Sequence, residues 1–184
     1  MKKLIITALA IASFSTGSFA QKYMTRTGKV KFDATTKTSP EKIAGVNNEV
    51  ASIVDPTNGA IVFQIFVKSF KFEKELMEEH FNENYMESDK FPKAEFKGNI
   101  ANNNEVNYGK DGSYKATVTG KLTIHGTTND VSIPGTIEVK GGKLKLISKF
   151  SVKLADYKIT VPSLVADKLA KEATVNLECD LDKK

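Results

Sequence analysis

The two histidines, His80 and His125, are the only side chains of the sequence suited to moving protons near neutral pH without a special environment. Catalysis would require a nucleophile or a second base at a defined distance from one of them. Glu78 and Glu79 precede His80 and resemble an acid/base cluster, but neighbouring helix positions point in different directions. The sequence also lacks a G-x-S-x-G elbow, an H-E-x-x-H motif, a P-loop and a dinucleotide fingerprint. We therefore predict that the protein is not an enzyme.

His125 and Cys179 are the remaining candidates for metal binding or covalent chemistry. His125 precedes Gly126, which tolerates a positive φ, so we expect His125 to fix a tight turn through a side-chain to backbone hydrogen bond. Cys179, the only thiol, alternates with apolar neighbours, and this pattern predicts an inward-facing small hydrophobe. A metal site would need two or more further ligands of the right type. We expect neither a metal site nor a cofactor.

Alternation of apolar and polar residues dominates the chain. It indicates the kind of secondary structure that positions the histidines and Cys179. It is clearest from Tyr114 to Ile124, and it recurs from Leu144 to Leu154 and from Val175 to Leu181. Such alternation is typical of antiparallel strands with one dry and one wet face. Glycine-containing turn sequences at 55–59 and 140–143 separate neighbouring runs. The sequence therefore predicts an all-β, antiparallel domain.

One segment, 73–85, has helical periodicity. Five glutamates occupy one side of it, and the other side carries a predominantly apolar stripe. The stripe comprises Leu76, Met77, His80, Phe81, Asn84 and Tyr85. We expect this amphipathic helix to lie across the mouth or the side of the sheet. A second, shorter helix is predicted from 163 to 171.

The first twenty residues have the organisation of a secretory signal peptide. A basic start at Lys2 and Lys3 precedes an apolar run and a small-x-small cleavage site that ends at Ala20. The apolar run is too short to span a bilayer, which needs roughly 20 apolar residues. We predict that 1–20 is removed and that 21–184 forms one soluble domain, exported to the periplasm or secreted.

The basic charge of the chain does not indicate a nucleic-acid partner. The formal net charge of +5 falls to +3 when Lys2 and Lys3 are removed, and the remaining lysines are spread along the strands. A nucleic-acid footprint would concentrate basic residues on one face. A weak attraction to anionic lipid headgroups, and hence a transient contact with a membrane surface, stays open. A homodimer stays open as well.

The segment GKLTIHGTTNDVSI, from Gly120 to Ile133, resembles the YceI-like family together with the preceding SDKFPKAEFKG and KELMEEHFNENY. The similarity extends from the first strand near Met24 to the last near Leu181. The best-matched positions are Ser69, His80, Phe91, Pro92, Phe96, Gly120, Leu122, Thr123, His125 and Gly126.

Two positions depart from the family pattern. Glu78 and Glu79 precede His80 where the family often has an Arg-Asp-type pair, and Phe81 stands where Leu is common. The first departure puts a polar contact of the family near the barrel mouth in doubt.

The resemblance implies a fold and a class of ligand. Members of the YceI-like family form lipocalin-like antiparallel barrels, so we expect eight strands with the amphipathic helix between them. They bind polyisoprenoid or similar long-chain amphiphiles inside the barrel, and this chain is expected to hold such a lipid or an isoprenoid quinone. The alternative is an exported stress-response or protein-interaction scaffold whose barrel is filled and binds no ligand.

The inward rows of the predicted strands and the helix stripe supply the candidate ligand contacts. These are Ile61, Phe63, Ile65, Val67, Ser69, Met77, His80, Phe81, Phe96, Val118, Leu122 and Phe150. Ser69 and His80 are expected at the mouth, where they would bond a polar headgroup. Small residues such as Gly98 and Gly120 would leave space between bulky walls. Because alternating large and small residues also pack a solid core, the sequence leaves a cavity and a filled interior open.

Overall fold

The fold is built from long antiparallel strands. The computed structural model describes residues 21–165 and 167–184, so the predicted signal segment, 1–20, lies outside the described residues. The strands are β1 (Tyr23–Thr35), β2 (Ala44–Asp55), β3 (Ala60–Phe66), β4 (Lys71–Phe72), β5 (Lys93–Ile100), β6 (Gly112–Ile124), β7 (Thr127–Lys140), β8 (Lys143–Lys153) and β9 (Leu169–Lys183). The helical elements are α1 (Glu75–His80), a π-helical turn (Phe81–Tyr85), and 3₁₀ turns at Val67–Ser69, Asn103–Glu105, Leu154–Tyr157 and Ser163–Val165.

The sheet closes on itself. Around the barrel the long strands follow the order β1, β9, β8, β7, β6, β5, β3, β2, and β2 pairs again with β1. Each of these pairings is antiparallel. The two-residue strand β4 pairs with β2 at Gly45 and Val46, beyond the 3₁₀ turn that follows β3. The predicted eight-stranded antiparallel, lipocalin-like barrel is confirmed.

One end of the barrel, which carries the β2–β3 and β7–β8 turns, is packed with side chains. The rings of Tyr23 and Tyr108 stack there with their centroids 6.2 Å apart. Leu144, Cys179 and Leu181 are fully buried beside them, as the alternation of their strands predicts. Burial raises the pKa of Tyr108 to about 12. This end therefore forms a dry, filled core.

The other end of the barrel is covered by α1 and the π-helical turn. Helix α1 begins at Glu75, and the helical segment ends at Tyr85, the predicted last residue. Phe81 stacks on Phe32 at 5.2 Å between ring centroids and also contacts the rings of Phe70 and Phe72. Of the two positions that the sequence left open, the mouth and the side of the barrel, the helix occupies the mouth.

The predicted helix stripe is only half correct. Two rows of residues run side by side along this segment. The row of Met77, Phe81 and Tyr85 is half-buried, and Phe81 and Tyr85 pack against the core. In the other row His80 and Asn84 are exposed, and Leu76 is 61% exposed. This short helical segment contacts the barrel along one row of side chains only, so the neighbouring row faces water.

The predicted second helix, 163–171, is wrong. Ser163–Val165 forms a 3₁₀ turn, and β9 already begins at Leu169. Leu169 pairs with Thr35 of β1, and the Thr36 hydroxyl donates a 2.7 Å hydrogen bond to the carbonyl of Asp167. Pairing with β1 therefore draws this segment into the sheet.

Strands β5 and β6 approach most closely where Gly98 pairs with Gly120. A Cβ atom on Gly98 would lie 2.2 Å from the carbonyl oxygen of Thr119, and one on Gly120 would lie 2.3 Å from that of Lys97. The sequence had suggested that these glycines leave space in the lumen, but the structure does not place them in the cavity wall. They allow two backbones to come into contact.

The ladder between β7 and β8 covers only part of each strand. Its register runs from Gly135 opposite Ser148 to Lys140 opposite Lys143, which is six residue pairs. The segments Thr127–Pro134 and Lys149–Lys153 lie outside this register, although each pairs with its other neighbour, β6 or β9. The barrel wall is therefore incomplete along this seam.

We predict that Gly98→Ala and Gly120→Ala each lower the free energy of unfolding by about 2 kcal/mol or more, because the added methyl group meets a backbone carbonyl that cannot rotate away. Gly109→Ala is the matched control, since its Cβ would meet only the Asn107 side chain at an ordinary 3.5 Å. Urea unfolding of the three variants measures the effect. Equal stability of all three would contradict the close approach.

Burial raises the pKa of the Cys179 thiol from 9.0 to about 12. We predict that iodoacetamide at pH 9 alkylates the folded protein at least about a hundredfold more slowly than the urea-unfolded chain, because the folded thiol stays protonated and inaccessible. Above pH 9 the unfolded thiol releases its proton and the folded one does not, so this thiol's contribution to stability is lost as the pH rises toward 12. Rapid labelling of folded protein would show that the thiol is accessible.

Candidate functional site

A cavity of about 220 Å³ lies between the filled end of the barrel and the helix. The surface that faces the cavity is apolar. A cavity can hold one water molecule at roughly 10–15 Å³, so this one is roughly fifteen to twenty times larger. A cavity of this size and polarity suits hydrocarbon better than ordered water.

Eight of the twelve predicted ligand contacts line this cavity. They are Ile61, Phe63, Ile65, Phe81, Phe96, Val118, Leu122 and Phe150. Seven of them are inward residues of β3, β5, β6 and β8, and Phe81 reaches the cavity from the helix. The structure brings these eight together around one space, and their contact with a ligand stays a prediction.

Val67 and Ser69 do not line the cavity. The 3₁₀ turn at Val67–Ser69 interrupts the alternation of β3 and moves both residues off the inward row. Val67, 1% exposed, belongs to a separate cluster with Met86 and Tyr157. The Ser69 hydroxyl donates a 2.6 Å hydrogen bond to Oε2 of Glu49.

Met77 and His80 also lie outside the cavity wall. Met77 is half-buried, whereas His80 is exposed on the outer row of the helix. The expected headgroup contact from His80 therefore does not point at the cavity. Tyr85, which shares its row with Phe81, does reach it.

The wall includes further residues that the predicted site omitted. Phe32 comes from β1, Ile133 and Ile137 from β7, and Val175 and Leu177 from β9. Each belongs to an alternating row, so its period-two pattern was a usable signal. Met86 and Ile159 also line the cavity but lie outside strands, where no such signal exists.

His125 stabilises the end of the β6–β7 hairpin and is not part of the cavity wall. It has a positive φ of 49°, and its Nδ1 lies 3.2 Å from the carbonyl oxygen of Tyr157. Its Nε2 lies 2.8 Å from Oε2 of Glu87, and the Phe91 ring packs edge-on against the imidazole. The predicted bond to the backbone is present, but its acceptor belongs to the 3₁₀ turn after β8. His125 thus ties three separate segments together.

Across the described part of the chain, no three His, Cys, Asp or Glu side chains come together in a way that could hold a metal ion. Within residues 21–165 and 167–184, no helix combines the length and apolar character needed to cross a bilayer.

A closed antiparallel barrel with a helix across one end and an apolar cavity inside defines a lipocalin-like protein. The family model of the YceI-like domain matches residues 10–181. The chain therefore belongs to the YceI-like family. A comparison with curated proteins found no match.

Solved structures of low sequence identity share this fold. A polyisoprenoid binding domain from Saccharophagus degradans, implicated in plant cell wall breakdown, is similar with a TM-score of 0.77 at 12% identity, over 89% of this chain and 98% of that one. Burkholderia cenocepacia BcnA is similar with a TM-score of 0.67 at 20% identity, over 84% and 95% of the two chains. A Campylobacter jejuni YCEI protein follows with a TM-score of 0.56 at 16% identity, over 99% and 91%.

We predict that Phe81→Ala lowers the free energy of unfolding by about 2–3 kcal/mol, because it removes the ring that contacts three other phenylalanines at the covered end. Leu76→Ala on the same helix is the control, and its exposed side chain predicts a change within about 0.5 kcal/mol. Thermal and urea unfolding compare the two variants. Similar losses in both would mean that the helix does not cover the barrel through Phe81.

Proposed function

We propose that the protein is an exported binder or carrier of one long-chain apolar molecule, held in the barrel cavity. A polyisoprenoid, an isoprenoid quinone or a similar amphiphilic lipid fits this description. The single observation that carries the proposal is the apolar cavity of about 220 Å³ inside the barrel. The similar domain from Saccharophagus degradans, described as polyisoprenoid binding, supports the same ligand class.

Burial of hydrocarbon supplies the binding energy in this proposal. Each Å² of apolar surface removed from water contributes roughly 25 cal/mol, so a few hundred Å² supply several kcal/mol before ordering costs. The rings of Phe63, Phe96 and Phe150 are part of the wall. Such walls discriminate weakly between chains of different branching, so we expect affinity for a class of lipids.

The cavity favours this function over the filled scaffold that the sequence left open. A scaffold would pack its interior throughout, as the end around Tyr23 and Leu144 does. Binding is also favoured over catalysis, because His80 faces solvent and His125 is engaged by Glu87 and Tyr157 outside the cavity wall.

Export is part of the proposal and rests on the signal-peptide pattern of 1–20. Export would bring the carrier outside the cytoplasm. Lipids that move between membranes there need a soluble protein that keeps their apolar chains out of water. Intact-mass measurement of the protein from the culture medium or periplasm would test this part. A mature chain beginning near Gln21 is the expected result.

Native mass spectrometry with lipid identification tests the binding itself. We predict that protein purified from its native compartment carries one amphiphile per chain. Ala116→Phe should reduce this occupancy at least about tenfold, because Ala116 lines the cavity and a phenyl ring there fills it.

Ala101→Phe is the matched control, since the same change at an exposed turn leaves the cavity intact. Circular dichroism verifies that both variants fold, and Ala94→Phe offers a second position in the cavity wall. A wild-type protein without a stoichiometric amphiphile, or equal occupancy in all folded variants, would contradict the proposal.

A further inference from the structure

The gap between β7 and β8 begins where their ladder ends at Gly135 and Ser148. Beyond that pair, Asp130–Ile133 and Lys149–Lys153 face each other without ladder pairing. Each segment is held by its other neighbour in the sheet, so neither is loose. The gap is therefore a fixed part of the barrel wall.

Pro134 explains why the ladder ends there. Its partner Thr117 donates its N–H to Oδ1 of Asn102 at 3.0 Å, and the Thr117 carbonyl accepts from the N–H of Ala101 at 2.8 Å. Both backbone groups of Thr117 thus point away from β7, and in an antiparallel pair those of Pro134 must then point toward β8. Proline has no N–H to donate, and its carbonyl accepts a 2.7 Å hydrogen bond from the Ser148 hydroxyl.

The gap is also closed at its far side. The side-chain amide of Asn129 donates a 2.8 Å hydrogen bond to the carbonyl of Asp156, in the 3₁₀ turn after β8. The opening is therefore a window framed by four elements: β7, β8, the Pro134–Ser148 contact and the Asn129–Asp156 contact. We call it the β7–β8 window.

Only side chains separate this window from the apolar cavity. A surface cleft occupies the window on the outside. Five residues line both the cleft and the cavity, and they are Leu122, Ile133, Pro134, Phe150 and Val152. Leu122 and Phe150 are only half-buried, and side chains of this kind change rotamer without any movement of the backbone.

We propose that the β7–β8 window is the entrance through which the long-chain ligand reaches the cavity. This rests on the proposed function. The two ends of the barrel are less suited, because one is filled around Tyr23 and the other is covered by the phenylalanine cluster around Phe81. The window is the place where cavity and surface share the same wall.

The rim of the window indicates which headgroup it accepts. The rim carries two lysines, Lys149 and Lys153, and two aspartates, Asp130 and Asp156. Its charges therefore sum to zero, and the rim does not select a strongly charged group. The unpaired edges of the two strands also present backbone N–H and C=O groups. These groups suit a small uncharged polar head, such as a hydroxyl or a carbonyl, on a flexible apolar chain.

A reversible cross-link across the window tests the proposal. Ser132→Cys and Ser151→Cys place two exposed thiols on opposite sides of it, and a flexible bismaleimide with an internal disulfide joins them. Buried Cys179 does not compete for the reagent. Stopped-flow fluorescence then measures uptake of N-phenyl-1-naphthylamine, an apolar probe, before and after the linker is reduced.

The matched control links Ser151→Cys to Thr174→Cys, which are direct partners in the closed β8–β9 ladder. We expect uptake to slow at least about tenfold in the window-linked protein, to recover after reduction, and to stay unchanged in the control. The same linked sample is measured before and after reduction of the linker, so a folding defect of the variant cannot produce the recovery.

The opposite results separate two failures. Equal uptake with and without the window link, together with faster uptake in Phe81→Ala, would overturn the window and place the entrance at the helix. A wild-type protein that takes up no probe would overturn the proposed function, and the window with it.

Discussion

Closure of the sheet is the constraint on which the rest of the structure depends. Because β1 pairs with both β9 and β2, eight strands enclose an interior whose volume is set by their number and tilt. The hydrogen-bonded ladders between the strands fix this volume, so the barrel cannot contract around the side chains in its interior. The chain fills one end with side chains and covers the other with a helix, and the cavity is the space left between them.

The size of the inward residues decides where that space lies. At the filled end the strands contribute Tyr23, Leu144 and Leu181. At the level of the cavity they contribute Ala94 and Ala116 among larger residues. A small residue facing a rigid wall leaves volume that its neighbours cannot occupy, since core side chains already sit in defined rotamers. Residue size along otherwise similar strands thus separates core from cavity within one barrel.

Period-two alternation was enough to predict the antiparallel strands and seven residues of the cavity wall, because it reports local burial directly. It failed at Val67 and Ser69, where a 3₁₀ turn shifts the phase. It could not predict which row of a helix packs inward, as His80 shows. The separately predicted helix 163–171 is wrong because pairing with β1 overrides helix propensity. Alternation also says nothing about ladder length, whereas a proline inside a strand, such as Pro134, is a local sign of a disrupted ladder.

An opening in a barrel wall exposes strand edges, and exposed edges promote pairing between molecules. The β7–β8 window limits this hazard in two ways. The unpaired segment of β8 is five residues long and carries Lys149 and Lys153, charges of the kind that protect natural edges. The facing segment of β7 ends at Pro134, which cannot donate to an incoming strand. The window can therefore stay open without offering a long template to another sheet.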